Sequence, residues 1–352
     1  MIASGGVAYV LRTDARRELT PGRAPFSSLA SLRLRVLIPG SELARRAKVT
    51  LVPFDHFLAD PALSTLPGLR AIVLGKLSVS EVETMDSRLE RLFQAIERCP
   101  HPVFADFSDN YAALAETRSS VLRDYQTRMS SLARLTVPCE ALAQQLAPHA
   151  KQGIDVVEDP YEIEQGSVRF DPGTEVLHCC WFGASFDTDS IHDSFVSLVT
   201  ALRDRRVRID FVAGAARRPF AQRLAARLSD VHGAVNLSFI EWSVQRVATA
   251  LARCDLVLLP QDYGSDWGRT KSHNRLVQAI RAGRIALASP IPSYLELADY
   301  ACVGEDFAAC VREALRDAED MTQRVREGQA LVRDRFSPER IAERWAQILG
   351  VV

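Results

Sequence analysis

The fold is decided by residues 255–297, which read DLVLLPQDYGSDWGRTKSHNRLVQAIRAGRIALASPIPSYLEL. An apolar, strand-like run stops before Pro260, a polar loop containing glycine follows, and a helical pattern begins near Ser272. Gly283 has the place of a helix-stop glycine, and a second apolar run ends just before Pro290. A strand, a helix and another strand in this order are typical of a parallel sheet.

The same alternation extends over the whole chain. Strands are predicted at residues 7–11, 49–52, 71–74, 103–105, 135–137, 176–182, 208–213, 236–240, 256–259 and 285–288. Helices are predicted at residues 81–98, 111–128, 140–149, 191–202, 218–228, 244–253, 272–282 and 307–334. Strands that alternate with helices predict an α/β fold, with parallel sheets covered on both faces.

One early segment is ambiguous. Residues 32–38 (LRLRVLI) alternate apolar and basic side chains as a strand does, but they also fit a helix over 28–46 kinked at Pro39. We favour the helix, because the strand at 7–11 already opens the sheet.

Residues 158–174 contain two Asp-Pro pairs and few apolar side chains, so we interpret them as a linker. Two α/β domains are therefore predicted, at residues 1–160 and 174–336. Ser337 and Pro338 then start a last helix, over 337–352, as N-cap and first-turn proline. One face of that helix carries Ile341, Trp345 and Ile348, and it must be buried somewhere.

Composition excludes several classes. The 352 residues are 47% hydrophobic and 25% charged, which is ordinary for a globular protein. Lys and Arg number 43 against 44 Asp and Glu, so no net charge attracts nucleic acid, and we predict no nucleic-acid partner. No signal peptide or membrane-spanning run is expected. Only four of the basic residues are lysines, so the position of each lysine is informative.

The seven cysteines are scattered and mostly lie in apolar segments, which indicates reduced thiols in a cytoplasmic protein. His178, Cys179 and Cys180 are consecutive on a predicted strand. Their side chains alternate between faces and cannot converge on one ion, so no metal site is predicted there.

Open α/β sheets bind ligands beyond the carboxyl ends of their strands. The helix near Ser272 directs its N-terminal amides to that edge, Lys271 and Arg275 add two cations, and Asn274 adds a hydrogen-bonding group. Together they predict a phosphate site. The alternative is that Ser272 only caps a helix and that both cations are solvated.

Other candidates lie at strand ends. Gly183 follows a strand and would let backbone approach a phosphate, although an ordinary turn is the alternative. Lys76 ends another strand, and Asp106 to Asn110 (DFSDN) end a third. Asp109 could equally be a helix N-cap. For the basic pair at positions 33 and 35, a solvated face is favoured.

These residues resemble glycosyltransferases of the GT-B fold, of the type that assembles bacterial surface polysaccharide and lipopolysaccharide. The matching pieces are WFG at 181–183, FIEW at 239–242, CDLVLLP at 254–260, KSHNR at 271–275 and AGRIALASPIPSYLEL at 282–297. The early pieces SLRLR, VLGK and DFSDN are also similar to that group.

The resemblance implies two Rossmann-like domains that face each other across a cleft, with the last helix packed back on the first domain. The second domain would bind a nucleoside diphosphate sugar through Trp181, Gly183, Trp242, Lys271, Ser272, Asn274, Arg275 and Glu296. The first domain would bind the acceptor through Arg33, Arg35, Lys76 and Asn110. No cofactor or metal is expected, because cationic side chains and a helix dipole replace the ion at the diphosphate.

The implied partners are a nucleotide sugar and a glycan or glycolipid acceptor, such as a lipopolysaccharide precursor. The implied place is the cytoplasm, with peripheral association at the inner membrane. The sequence departs from the resemblance at Thr270 and Gln278, where many members have glutamates. The nucleotide ribose would then be held differently, by Glu296 or by backbone.

Lys271 and Arg275 would stabilise the charge that develops on the leaving phosphate. An inverting enzyme would also need a base, for which Asp106 and Asp109 are candidates with His56 behind them, whereas a retaining enzyme would not.

Three alternatives stay open. A nucleotide-sugar epimerase can share this architecture, and a degenerate domain could bind a glycan or a partner without catalysis. A metal-dependent transferase of the other fold class would use the DxD at 187–189. A dehydrogenase is disfavoured, since no GxGxxG follows any strand.

Overall fold

The structure is a computed structural model that describes residues 5–13, 15–85, 87–183 and 189–351, with only the backbone at 189 and 190. The chain forms two compact units. Unit 1 comprises Met1–Pro160, Thr270–Ser272 and Phe336–Val352, and unit 2 comprises Tyr161–Arg269 and His273–Arg335. The segment Thr270–Ser272 therefore belongs to unit 1, although it lies between two stretches of unit 2 in the sequence.

Unit 1 is built on a seven-stranded sheet in the order β2-β3-β1-β4-β5-β6-β7. Its strands are β1 (Gly6–Leu11), β2 (Arg17–Glu18), β3 (Lys48–Pro53), β4 (Leu69–Leu74), β5 (Val103–Asp106), β6 (Arg134–Val137) and β7 (Ile154–Val156). All neighbours are parallel except β2, which pairs antiparallel with β3. The short strands β2 and β7 are absent from the sequence prediction, because β2 is two charged residues and the three residues of β7 include a charged one, so neither forms an apolar run.

The ambiguous basic segment is helical, as favoured. Helical backbone runs without a break through Ala30–Leu32, a π-helical turn at Arg33–Leu37, and Ile38–Leu43. The other helical segments of unit 1 are Phe54–Ala59, Val79–Thr84, Ser87–Arg98, Val121–Leu132 and Glu140–Leu146, with 3₁₀ turns at Tyr111–Leu114 and Ala147–His149. The single helices predicted at 81–98 and 111–128 are thus each two shorter elements.

The last helix, Pro338–Leu349, starts at an N-cap serine as predicted: the Ser337 hydroxyl accepts a hydrogen bond from the Arg340 amide. Trp345 is fully buried and meets Tyr9 of β1 edge-on, with 6.1 Å between ring centroids. The helix belongs to unit 1, where its apolar face completes a core beside β1 and β3.

Unit 2 is built on a six-stranded, fully parallel sheet in the order β10-β9-β8-β11-β12-β13. Its strands are β8 (Val176–Phe182), β9 (Arg206–Ala213), β10 (Val235–Glu241), β11 (Leu256–Leu259), β12 (Ile285–Ala288) and β13 (Cys302–Val303). The ten strands predicted in the two units are all present, and only β2, β7 and β13 were missed.

The helices of unit 2 are Asp189–Ala201, Arg218–Val231, Val244–Arg253, Asp266–Arg269, Asn274–Arg281, Pro292–Leu295, Phe307–Arg316 and Ala318–Phe336, the last of which ends in unit 1. The prediction of one helix over 307–334 was wrong, because Asp317 leaves helical backbone angles between two helices. Gly283 has a φ of +73° and ends Asn274–Arg281, as expected of a helix-stop glycine.

The predicted linker is ordered against unit 2. The Gly166 amide donates to the Arg281 carbonyl, and Gly166 lies so close to the Ala282 backbone that a Cβ would not fit. Gln329 donates to the carbonyls of Gly166 and Arg281 from the opposite side. The polar, proline-containing composition of this segment therefore reflects an extended strip packed on a helix end, and not a free linker.

Within the part of the chain that the structure describes, no helix is both long and apolar enough to span a bilayer.

Candidate functional site

Of the residues predicted to bind a phosphate, Arg275 lies beside Gly183 at the carboxyl end of β8 in unit 2, whereas Lys271 and Ser272 belong to unit 1. The strand order changes direction between β8 and β11, and such switch points are where open α/β sheets bind ligands. Gly183 follows β8 with a φ of +138°, a conformation that a residue with a Cβ rarely adopts. Glycine at position 183 therefore permits this backbone conformation, and its missing side chain also leaves room for a neighbouring residue.

That neighbour is Arg275. A Cβ placed on Gly183 would lie 3.2 Å from both Cδ and Nη1 of Arg275, and Nη1 donates to the Phe182 carbonyl at 3.4 Å. The guanidinium carbon also lies 5.8 Å from the centroid of the Trp181 ring, within the range of a cation–π contact. The arginine is thus held by three consecutive residues at the end of one strand.

The helix behind Arg275 begins at Asn274, with His273 at the N-cap position and no side-chain cap. Asn274 accepts a hydrogen bond from Gln278 at 3.3 Å. The helix start is two residues later than predicted, so Ser272 precedes the helix and does not cap it. The first-turn amides keep their capacity to bind an anion beside the Arg275 cation.

The two predicted tryptophans have different environments. Trp181 is fully buried and stacks on Phe211, with ring centroids 4.2 Å apart and planes at 10°. It supports Arg275 from within the core and presents no surface for a nucleotide base, which corrects its predicted contact with the donor. Trp242 is half-buried at the end of β10, where its amide donates to the Ala213 carbonyl at 2.9 Å.

Glu296 is paired with two basic side chains of unit 2. Its Oε2 lies 3.0 Å from His273 Nε2 and 2.8 Å from Arg335 Nη2. The hydrogen bond from His273, with that from Arg335, lowers the pKa of Glu296 from 4.5 to about 2, although partial burial acts the other way. The predicted ribose contact of Glu296 would have to compete with these two partners.

In unit 1 two lysines meet one carboxylate. Lys271 Nζ lies 2.5 Å from Asp109 Oδ1, and Lys76 pairs with Oδ2 of the same residue. Burial alone would raise the pKa of Asp109, but the charges and hydrogen bonds of the two lysines outweigh it and lower that pKa. We call Lys76, Asp109 and Lys271 the lysine–aspartate cluster.

The cluster adjoins polar atoms that have no partner. Within the described residues, the buried Ser108 hydroxyl and the buried Asn110 Oδ1 accept and donate no hydrogen bond. The amide nitrogen of Asn110 donates to Gln145. Asp109 was weighed as a helix N-cap, but that position belongs to Asn110, and no side chain caps the short helix that follows.

A second charged network lies deeper in unit 1 around Arg35. The guanidinium contacts Asp106 Oδ1 at 2.7 Å and Asp159 Oδ1 at 3.3 Å, and it also donates to the Val157 carbonyl. Asp106 accepts a further hydrogen bond from the Thr136 hydroxyl at 2.8 Å. Although burial alone would lower it, the charges of Asp106 and Asp159 raise the pKa of Arg35, so this residue stays charged.

This network extends to Ser272, in the loop that precedes the helix Asn274–Arg281. Asp159 Oδ2 accepts a hydrogen bond from the Ser272 hydroxyl at 2.7 Å. Burial raises the pKa of Asp159, while Arg35 and Ser272 act in the opposite direction. The Cys139 thiol donates to the Thr270 carbonyl at 3.4 Å. The backbone on both sides of Lys271 is therefore anchored to unit 1.

Comparison with known proteins gives a match of structure but not of sequence. No protein-family model and no curated protein sequence matches the chain. A glycosyltransferase from Rickettsia africae covers 98% of this chain and 97% of its own, with a TM-score of 0.52 and 10% identity. Another match is a UDP-forming α,α-trehalose-phosphate synthase from Burkholderia xenovorans, solved in complex with glucose-6-phosphate. The alignment covers 99% of this chain and 92% of the synthase, with a TM-score of 0.57 and 8% identity.

A further match is TarM of S. aureus, solved as a point mutant with fondaparinux, α-GlcNAc-glycerol and UDP. It aligns with 79% of this chain at a TM-score of 0.56 and 10% identity, and this chain spans 55% of TarM. The chain has the GT-B glycosyltransferase fold. At these identities the likeness is one of fold.

Within this GT-B fold, the structure changes the interpretation of several predicted residues. Arg33 and Arg35 are 5% and 2% exposed, so the solvated face favoured for them is wrong. Arg35 is committed to the buried network, which leaves no guanidinium edge for an acceptor. Asp106 is committed to the same network and is therefore poorly placed to act as a base.

Asp109 is also a weak base, because a lowered pKa reduces its tendency to take a proton from a hydroxyl. His56 is exposed on Phe54–Ala59, and within the described residues no hydrogen bond joins it to Asp106 or Asp109. The DxD alternative falls at 187–189, whose side chains lie outside the described residues. Among the residues described, no group of three or more acidic, His or Cys side chains could hold a metal ion.

Three residues near Lys271 and Arg275 were not predicted from the sequence. Asp159 accepts a hydrogen bond from Ser272, Cys139 donates one to Thr270, and His273 contacts Glu296. Asp159 stood in a supposed linker, and Cys139 was one of seven scattered thiols. His273 lay inside the quoted KSHNR motif, so that motif carried the only signal for any of the three.

Proposed function

We propose that this chain is a glycosyltransferase that moves a sugar from a nucleoside diphosphate sugar to a hydroxyl acceptor without a metal ion. The observation that carries the proposal is the placement of Arg275 across Gly183 at the switch point of the unit 2 sheet, beside a helix N-terminus. In a GT-B fold, this site offers a fixed cation and backbone donors for a diphosphate.

In the proposed reaction, the bond between the anomeric carbon and the diphosphate breaks, a bond to the acceptor oxygen forms, and the proton of the acceptor hydroxyl passes to the departing diphosphate. The departing nucleoside diphosphate gains negative charge in an oxocarbenium-like transition state. Arg275 and the first-turn amides would stabilise that charge more strongly as it develops, which is how electrostatic catalysis raises a rate. The role of Lys271 at the leaving phosphate stays a prediction.

Two of the similar structures are a complex with UDP and a UDP-forming synthase, so UDP-sugars are the first donors to test. The experiment is a thermal-shift screen of UDP-, GDP-, ADP- and dTDP-sugars, because a ligand that binds only the folded state raises the melting temperature. Hits are then assayed for release of the nucleoside diphosphate. Arg275→Gln should weaken donor binding about 10-fold or more, as expected for a lost charge-assisted hydrogen bond.

The matched control is Arg253→Gln, an exposed arginine at the end of another unit 2 helix. It should bind the donor as the wild type does. An equal loss of donor binding in Arg275→Gln and Arg253→Gln would reject the proposed donor site. So would the absence of stabilisation by every nucleotide sugar in the screen. Conversion of a nucleotide sugar to its epimer without any acceptor would instead support the epimerase alternative.

For the acceptor, we propose a glycan or glycolipid such as a lipopolysaccharide precursor, bound by unit 1, with peripheral association at the inner membrane. Co-sedimentation with vesicles of phosphatidylethanolamine and phosphatidylglycerol tests the association. Protein that stays in the supernatant at low salt would contradict it.

A further inference from the structure

Two of the four lysines in this arginine-rich chain converge on one carboxylate. Lys76 and Lys271 are 195 positions apart, yet each ammonium contacts a different oxygen of Asp109. We propose that the lysine–aspartate cluster is an anion site of unit 1 that binds a phosphate group carried by the acceptor. This inference rests on the proposed function and narrows its acceptor to a phosphorylated one.

The charges of the cluster favour an anionic ligand. Two ammonium groups share one carboxylate, so the cluster has one positive charge in excess. The carboxylate offsets only part of the repulsion between the two ammonium groups, and a bound anion would reduce the rest. The Lys76 and Lys271 side chains are 21% and 23% exposed, so a ligand can reach them while solvent screening is reduced.

The position of the cluster also favours a ligand. The strand order of the unit 1 sheet reverses between β1 and β4, and Lys76 lies two residues after the end of β4. Asp109 follows the adjacent strand, β5. Open α/β sheets bind ligands at this place, so the cluster occupies the ligand-binding edge of unit 1.

The residue type fits a phosphate oxygen. An ammonium is a compact point charge with three donors, and lysine is a common phosphate ligand in this role. The chain uses arginine at nearly every other basic position, 39 against four lysines. The unpartnered Ser108 hydroxyl, next to Asp109 in the chain, adds a further polar group at this strand end.

The cluster is also held in place before a ligand binds. Asp159 and Cys139 anchor Ser272 and Thr270, the two neighbours of Lys271. An anion site whose cations are already positioned loses less side-chain entropy on binding. These anchors distinguish Lys271 from an exposed lysine such as Lys151.

The test titrates inorganic phosphate into the full chain at low ionic strength, by isothermal calorimetry, with and without saturating UDP. We expect saturable binding that persists in the presence of UDP. No saturable binding would overturn the inference. Displacement of phosphate by UDP would also overturn it, because the cluster would then serve the diphosphate of the donor.

Variants identify the residues. Lys76→Gln should weaken phosphate binding about 10-fold or more, and Lys76→Arg should retain part of the affinity because it keeps the charge. Lys151→Gln is the matched control and should bind as the wild type does. An equal loss in Lys151→Gln would show a non-specific effect and overturn the inference. The UDP competition uses wild-type protein, so it decides the question even where Lys76→Gln fails to fold.

The two proposals fail in different ways. Wild-type protein that turns over a nucleotide sugar but has no phosphate site would reject this inference and leave the transferase proposal intact. Protein that binds phosphate but neither binds nor turns over any nucleotide sugar would reject the proposed function, and the acceptor assignment with it.

Discussion

Arg275 lies directly against Gly183: a Cβ on the glycine would be 3.2 Å from two atoms of the arginine side chain. The glycine comes from the first strand of unit 2, and the arginine comes from a helix 92 residues later in the chain. The contact fixes a cation at the carboxyl end of β8, where the proposed diphosphate would bind.

Gly183→Ala should therefore damage both the backbone and the cation. A φ of +138° is strained for alanine by about 1–3 kcal/mol, and the new methyl group would displace Arg275. We expect a lower melting temperature and weaker binding of UDP, measured by thermal unfolding and calorimetry. Gly214→Ala is the control, because Gly214 follows β9 with a φ of −59° and no atom of the described residues lies within 4 Å of its Cβ position. Equal effects of the two substitutions would contradict the argument.

Lys271→Ala should reduce kcat/KM by about 10-fold or more, since it removes a charge-assisted contact to a phosphate of either the donor or the acceptor. The fold should remain, because Asp109 keeps Lys76 as a partner. If Lys271 acts on the leaving phosphate, kcat falls together with kcat/KM, whereas a role at the acceptor phosphate raises the KM for the acceptor and leaves kcat unchanged. Lys271→Arg should restore only part of the rate, because a planar guanidinium does not replace a compact ammonium.

The control for this substitution is Lys151→Ala, which should keep wild-type kinetics. A Lys271→Ala enzyme with unchanged kcat and a raised KM for the acceptor alone would exclude the leaving-phosphate role.

Transfer should survive chelation of divalent ions. In the proposed site a guanidinium and helix amides take the place of a metal at the diphosphate, so EDTA is expected to leave the rate within about twofold. The measurement is nucleotide release with EDTA, and again after added Mg²⁺ or Mn²⁺. Activity that disappears with EDTA and returns with the metal would contradict this prediction and favour the metal-dependent alternative that uses Asp187 and Asp189.

Trp345→Ala should destabilise unit 1 by about 3–5 kcal/mol, the usual cost of removing a large buried aromatic side chain. The ring is fully buried against Tyr9, and Arg35 lies 5.6 Å above its centroid. The measurement is chemical or thermal unfolding. Arg344→Ala, at an exposed position of the same helix, should change stability by less than about 0.5 kcal/mol. A melting temperature for Trp345→Ala close to wild type would mean that the helix is not docked on β1.

Glu296 should make stability depend on pH in the acidic range. Its pKa is lowered in the folded state, so its stabilising effect is present above pH 4.5 and is lost as the pH falls towards 2. Because the carboxylate is partly solvated, we expect about 1–2 kcal/mol. Glu296→Gln should flatten the fall in melting temperature between these pH values, whereas Glu164→Gln, at an exposed position of unit 2, should not. Identical pH profiles for wild type and Glu296→Gln would refute the assignment.

The sequence by itself determined the α/β class, ten of the strands and the last helix. These features are local: an apolar run of four to eight residues forms a strand of a sheet that is covered on both faces, and caps such as Ser337 and Gly283 act within one helical turn. The positions of Gly183 and Arg275 were also predictable, since one lies at a recognisable strand end and the other at a helix start.

Only the tertiary structure decided which charges meet. Arg35 reaches Asp106 and Asp159 across 71 and 124 positions, and Asp109 meets Lys271 across 162. No period or spacing encodes such a pairing, because it depends on which strands become neighbours in the sheet. For that reason the sequence showed charged side chains at strand ends, while the fold determined which of them join the buried Arg35 network and which form the lysine–aspartate cluster.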